Sequence, residues 1–176
     1  MVQVNYKLTE PEIYQGLLEI SKSRVVTNVL RIVGFVLLGI MLFITTASLT
    51  HGIFNFSLGF IFPIFLAVYL IFLSEITAKF QVPNLIKKKN QFTEEVSVKL
   101  YETGFKVKGE TFYNQFTWDK ISEIIETDDF FLIKETEVLA TVLPKRVFTA
   151  EHSVRFRQIV GNITAPVKTK MAYNAL

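Results

Sequence analysis

The sequence predicts an α+β membrane protein: a two-helix transmembrane hairpin plus a small cytoplasmic antiparallel β domain that ends in one helix. Three observations predict it. From Ile32 to Ser74 there is no Lys, Arg, Asp or Glu, a run of about 43 residues and about twice what one helix needs to cross a bilayer core. From Phe92 onward, apolar residues recur at period two between short turn signals. Basic residues gather at the two outer ends of the apolar run and not at its middle.

The chain opens with Val2, Val4, Tyr6 and Leu8 alternating with Gln3, Asn5 and Lys7, the pattern of a half-buried strand. Thr9 and Glu12 stand at capping-box spacing, and Leu8 and Ile13 at the spacing of a hydrophobic staple. Ile13, Leu17, Leu18 and Ile20 then form an apolar helical stripe, which Ser21-Lys22-Ser23 interrupts. A lone strand has no stability by itself, so Val2–Leu8 is expected to join a sheet beyond the apolar run. On this reading the hairpin is an insertion into one domain.

The apolar run divides at Thr50-His51-Gly52 into Ile32–Leu49 and Ile53–Leu73. Each half is apolar on every helical face, which an amphipathic surface helix is not. Both are read as retained spans, because a second apolar run follows the first at once, with no small-residue cleavage site between them. Lys22, Arg24 and Arg31 precede the first span, and Lys79, Lys87, Lys88 and Lys89 follow the second. The positive-inside rule then puts both termini in the cytoplasm. Pro63 is expected to kink the second span, and Pro83-Asn84 to end its helical pattern.

Beyond the hairpin, Val96–Leu100, Phe105–Val107, Thr111–Trp118, Phe130–Lys134 and Val138–Leu143 read as strands. Glu102-Thr103-Gly104 reads as a hairpin turn with Gly104 free to take positive φ. Asp128-Asp129 is a second tight turn, and Asp119–Ile125 a helical turn leading into a strand. Thr149 is a helix cap, and Ala150–Ile163 carries Val154, Ile159, Val160 and Ile163 for one apolar side. Short antiparallel strands closed by one helix suggest a pleckstrin-homology-like barrel. The expected organisation is residues 1–23 as a strand and helix packing on the cytoplasmic domain, 24–82 as the hairpin, 83–163 as the β domain and 164–176 as a flexible tail.

Phe116-Thr117-Trp118, then Ile121 and Ile124, the run Glu126-Thr127-Asp128-Asp129, and Leu143-Pro144-Lys145-Arg146 with Phe148 resemble the C-terminal domain of YcxB-like membrane proteins. Tyr6-Lys7-Leu8-Thr9 and the central hairpin are similar as well. The resemblance implies a two-span bacterial membrane protein of the inner membrane with a cytoplasmic domain, and it implies no activity.

The motif residues have plain readings beside sharper ones. Trp118 reads as a core residue whose indole N–H needs a partner, ahead of a ligand-stacking platform. Asp128 and Asp129 read as turn residues; with Glu126 they would offer three carboxylates to a divalent cation, which usually needs more oxygen ligands. Lys145 and Arg146 read as a solvated corner or as salt-bridge partners of Asp128 or Asp129. The sharper reading makes Lys145, Arg146, Lys87, Lys88 and Lys89 contacts for an anionic partner, either lipid phosphate or an acidic protein surface.

Composition narrows the function. A net charge of +3 is too small and too dispersed to point to nucleic acid, and there is no cysteine for a disulfide, thiol nucleophile or thiolate metal site. His51 and His152 fall on opposite sides of the membrane in this topology. No nucleophile elbow or Gly-rich phosphate loop is present, so no catalytic residue, cofactor or metal is expected. No ionisable group sits at mid-span, which argues against a transporter acting as a monomer. The leading expectation is a non-enzymatic membrane-anchored module whose cytoplasmic domain binds a protein partner. The alternatives are an anionic-lipid sensor and a small subunit of an oligomeric transporter.

Overall fold

The computed structural model describes residues 1–52, 58–88 and 93–171. In chain order the elements are β1 (Val2–Lys7), α1 (Glu10–Lys22), α2 (Val25–Thr50), α3 (Leu58–Ile71), α4 (Leu73–Lys87), β2 (Glu95–Leu100), β3 (Gly104–Lys108), β4 (Tyr113–Thr117), β5 (Glu123–Glu126), β6 (Phe130–Lys134), β7 (Ala140–Pro144), α5 (Ala150–Gly161) and β8 (Lys168–Lys170). Single 3-10 turns at Trp118–Lys120 and Lys145–Val147 follow β4 and β7. The chain divides into two compact units: residues 1–20 with those from Phe80 onward, and Ser21–Lys79.

The first unit is built on two four-stranded sheets. One has the order β1-β2-β3-β4, all antiparallel; the other has the order β7-β6-β5-β8, with β8 parallel to β5. β1 and β2 pair in full register, Val2 opposite Leu100 and Lys7 opposite Glu95, although 87 residues separate the end of one from the start of the other. Alternation decides which residues go inside: Val2, Val4, Tyr6, Val96, Val98, Leu100, Phe105 and Val107 are buried. The Tyr6 hydroxyl donates to the Val142 carbonyl at 2.7 Å, bonding β1 to the other sheet, and burial pushes its pKa well above the ordinary range. Phe131, Phe148 and Phe156 form an aromatic cluster that seats α5, with centroids of Phe131 and Phe156 4.5 Å apart. The Thr149 hydroxyl accepts from the His152 N–H and caps α5.

Three expectations in this unit need correction. Gly104 lies in β3 and does not take positive φ; glycine is needed there because any Cβ would run into the Phe116 carbonyl of β4. Pro83 does not end its helix: α4 continues to Lys87, because Val82 and Leu85 pack into the core on either side of it. The Asn84 side-chain amide donates to the Phe80 carbonyl one turn back. The segment expected as a frayed tail contributes β8, and Ala165 and Val167 pack against the core. A three-residue strand with two lysines carries no apolar alternation, so nothing local announces it.

In the second unit, α2 is the one helix among the described residues that is by itself long and apolar enough to cross a membrane. Gly59–Ile71 and Leu73–Lys87 satisfy the same criteria only together, and they are bent by 65° at their junction. The bend lies at Phe72, while Pro63 sits inside α3. Residues 53–57 of the expected second span lie outside the described residues. α2 packs on α3 where both are small: a Cβ on Gly34 would lie 2.9 Å from the Ala67 carbonyl, and Ala67 is fully buried. Arg31 donates from Nε to the Ile71 carbonyl at 3.3 Å and pairs with Glu75 at 3.4 Å, tying α2 to both sides of the bend. Outward side chains such as Leu42 and Phe43 are bare, at 68% and 73% exposure. α2 ends at Thr50, and two residues on Gly52 has a φ of 65°, which favours glycine.

Candidate functional site

Two segments of the sequence motif, Glu126–Asp129 and Pro144–Arg146, meet at one corner of the first unit. β5 ends at Glu126, and Thr127-Asp128-Asp129 turns the chain into β6. The Thr127 N–H donates to the Phe130 carbonyl at 2.9 Å, while its hydroxyl accepts from the Phe130 N–H at 3.0 Å. β6 pairs with β7, Phe130 opposite Pro144. That register brings the turn after β7 alongside, and the Lys145 N–H donates to the Asp129 carbonyl at 2.8 Å. Proline at 144 suits this place: its φ of −69° is what the ring imposes, and the next residue begins the 3-10 turn.

Glu126 is the centre of the corner. Its carboxylate has 1% side-chain exposure and is held by two cations from different elements. Lys145 Nζ lies 2.8 Å from Oε1. Arg157 of α5 grips both oxygens, 2.6 Å to Oε1 and 3.2 Å to Oε2. Both cations also lie over the Phe131 ring, at 5.1 and 6.0 Å. Burial alone would raise the Glu126 pKa, but the hydrogen bonds from Arg157 and Lys145 outweigh it and hold the carboxyl below its ordinary value.

Arg146 turns the other way. It makes a two-pronged pair with Glu12 of α1, and its Nη2 also donates to the Lys7 carbonyl at 2.9 Å. Glu12 accepts from both the Thr9 N–H and its hydroxyl, at 2.8 and 2.9 Å, so the capping residue of α1 also serves the corner. The Arg146 guanidinium holds the Glu12 carboxyl down to about 2. The partners of Lys145 and Arg146 are therefore Glu126 and Glu12, where the sequence suggested Asp128 or Asp129. Those two aspartates are exposed and line a polar cleft of about 320 Å³ with Gln15, Glu19, Thr127 and Phe130. Among the described residues no group of three or more His, Asp or Glu is placed to hold a metal ion.

The other named residues stand apart. Trp118 is buried in the 3-10 turn after β4, stacks on Phe105 at 5.6 Å and donates its indole N–H to the Tyr101 carbonyl at 3.2 Å. Lys87 and Lys88 are exposed at the end of α4 and make no ion pair among the described residues. Lys89 lies outside the described residues. A second buried carboxylate, Glu123 of β5, was not anticipated: Lys134 and Lys170 reach it at 3.1 and 2.8 Å, and Lys170 fastens β8. The two glutamates bracket the isoleucines of a four-residue strand, Glu123-Ile124-Ile125-Glu126. That was the available signal, since a carboxylate at a buried position needs a cation. Which cation it takes depends on contacts distant in sequence.

Residues 100–160 match the family model of YcxB-like protein. The matched segment contains Trp118, the Glu126–Asp129 turn and Pro144 through Arg146, the residues that carry the resemblance in the sequence. No curated protein and no solved structure matches the chain.

Proposed function

We propose that this is a non-enzymatic, membrane-anchored module whose YcxB-like, pleckstrin-homology-like domain binds a protein partner at the cytoplasmic face of a bacterial membrane. The observation that carries the reading is the β1–β2 pairing across the intervening helices. Two strands of one sheet lie on one side of a bilayer, so a chain that leaves after β1 and returns before β2 crosses an even number of times. If α2 spans, the bent α3–α4 segment supplies the return. The basic residues that flank the helices support a cytoplasmic location for that side. The antiparallel strands β1–β7, arranged in two sheets and followed by α5, support the pleckstrin-homology-like assignment.

The geometry favours a protein partner over lipid capture at the motif corner. Lys145 and Arg146 are already paired with carboxylates, so an anionic lipid there would have to displace Glu126 and Glu12. Exposed apolar side chains offer protein contacts instead: Val138 and Leu139 in the β6–β7 turn, 57% and 58% exposed, and Val154 on α5, 51% exposed. The test is to purify the full chain in lipid nanodiscs and identify what accompanies it. A protein at fixed stoichiometry is the expected result. Its absence, with anionic lipid enriched in a manner that Lys145→Ala/Arg146→Ala abolishes, would replace this reading with the lipid-sensing one.

A further inference from the structure

The outward face of the β1–β4 sheet carries three lysines in adjoining positions. Lys99 of β2 stands directly opposite Lys106 of β3, and Lys108 follows two residues later on β3, opposite Ser97. Like charges directly opposite each other weaken a sheet. Among the described residues no carboxylate forms an ion pair with Lys99, Lys106 or Lys108, and Lys106 lies over the Tyr101 ring at 5.6 Å. Their other cross-strand neighbours are neutral. Gln3 of β1 faces Lys99, while Gln115 and Tyr113 of β4 face Lys106 and Lys108. Acidic groups stand toward one end of the face, where Glu95 faces Lys7 and Glu110 follows β3. Lys134, Lys145, Arg146, Arg157 and Lys170, by contrast, all hold carboxylates.

We infer that this lysine face docks on the anionic phospholipid headgroups of the membrane that holds the chain. The inference rests on the membrane-anchored reading, because the helices keep the domain close to a bilayer surface. Charge complementarity selects the occupant. The lysines are point charges on a broad sheet face, and they lack the forked donors and deep pocket that would single out one phosphate. Docking would offset the opposed charges of Lys99 and Lys106 and leave the motif corner, α5 and the β6–β7 turn for a protein partner.

The test is lysine acetylation footprinting of the full chain, read by mass spectrometry, in nanodiscs of neutral phosphatidylcholine and in nanodiscs with about 30% phosphatidylglycerol. Lys99, Lys106 and Lys108 are expected to react about five-fold more slowly in the anionic nanodiscs, with Lys168 of the other sheet unchanged. About 0.5 M salt should remove the difference. Equal reactivity in the two nanodiscs would overturn the inference. So would protection in both, which would mean that the face is covered by a second copy or by another part of the protein. A chain that fails to enter nanodiscs and stays soluble without detergent would instead overturn the anchored reading. Lys99→Gln/Lys106→Gln/Lys108→Gln supplies a second readout: relieving the charge opposition should leave Tm unchanged or raise it by about 1–4 °C. Salt-sensitive protection of the remaining face lysine, Lys7, should also disappear. Persistence of that protection would overturn the assignment to these lysines.

Discussion

Glu126 shows how single residues hold this domain together. Its carboxylate joins the end of β5 to the turn after β7 through Lys145 and to α5 through Arg157. Glu126→Gln keeps the shape and removes the charge that both cations face. It is expected to destabilise the protein by about 1.5–3 kcal/mol, read as a lower unfolding midpoint in detergent; an unchanged midpoint would contradict the pairing. Glu12 makes a pH prediction. Its folded pKa, about 2, lies below its ordinary 4.5, chiefly through the hydrogen bond from Arg146. Its contribution to stability is therefore full above about 4.5 and is lost as pH falls from there toward 2. Glu123 and Glu126 are shifted in the same direction. Denaturant titrations from neutral to acid pH should show stability falling over that range, and Glu12→Gln should flatten part of the fall. A Glu12→Gln variant with the wild-type profile would contradict it.

At the scale of elements, β1 supplies four buried residues, Val2, Val4, Tyr6 and, just beyond it, Leu8. Burying them is worth on the order of 6–12 kcal/mol, as much as a whole domain's usual net stability. Deleting residues 1–8 is expected to leave the β2–β4 sheet open-edged and aggregating, as judged by size-exclusion chromatography in detergent; a monodisperse, cooperatively melting product would contradict this. Gly104→Val should cost at least about 1–3 kcal/mol, because the added side chain collides with the Phe116 carbonyl. Much of this layer was legible in the sequence. Alternation located β1, β2 and β3, the apolar run after the Asp128-Asp129 turn located β6, and Thr149 announced the start of α5. Signals that depend on distant contacts were not legible. Proline suggested a kink at 63 and an end at 83, yet the bend lies at Phe72, where Arg31 bonds the Ile71 carbonyl, and core packing by Val82 and Leu85 carries α4 past Pro83. In the candidate site, the motif residues were visible one by one. Their meeting was not, because Arg146 reaches Glu12 across 134 positions of the chain.

For the whole molecule, the pairing of β1 with β2 bears on the proposed topology: on the membrane-anchored reading, both ends of the helical insertion lie on one side of the membrane, and the turn at His51-Gly52 on the other. The chain contains no cysteine, so single-cysteine variants can report this directly. Gln3→Cys on β1, His51→Cys in the turn and Lys120→Cys after β4 are exposed positions outside the core. Each would be treated with a membrane-impermeant maleimide in sealed bacterial spheroplasts and again after lysis. The expected result is labelling of His51→Cys in the sealed state, with Gln3→Cys and Lys120→Cys labelled only after lysis. Labelling of Gln3→Cys and Lys120→Cys from opposite sides, or of all three from one side, would contradict a membrane hairpin inserted into a single cytoplasmic domain.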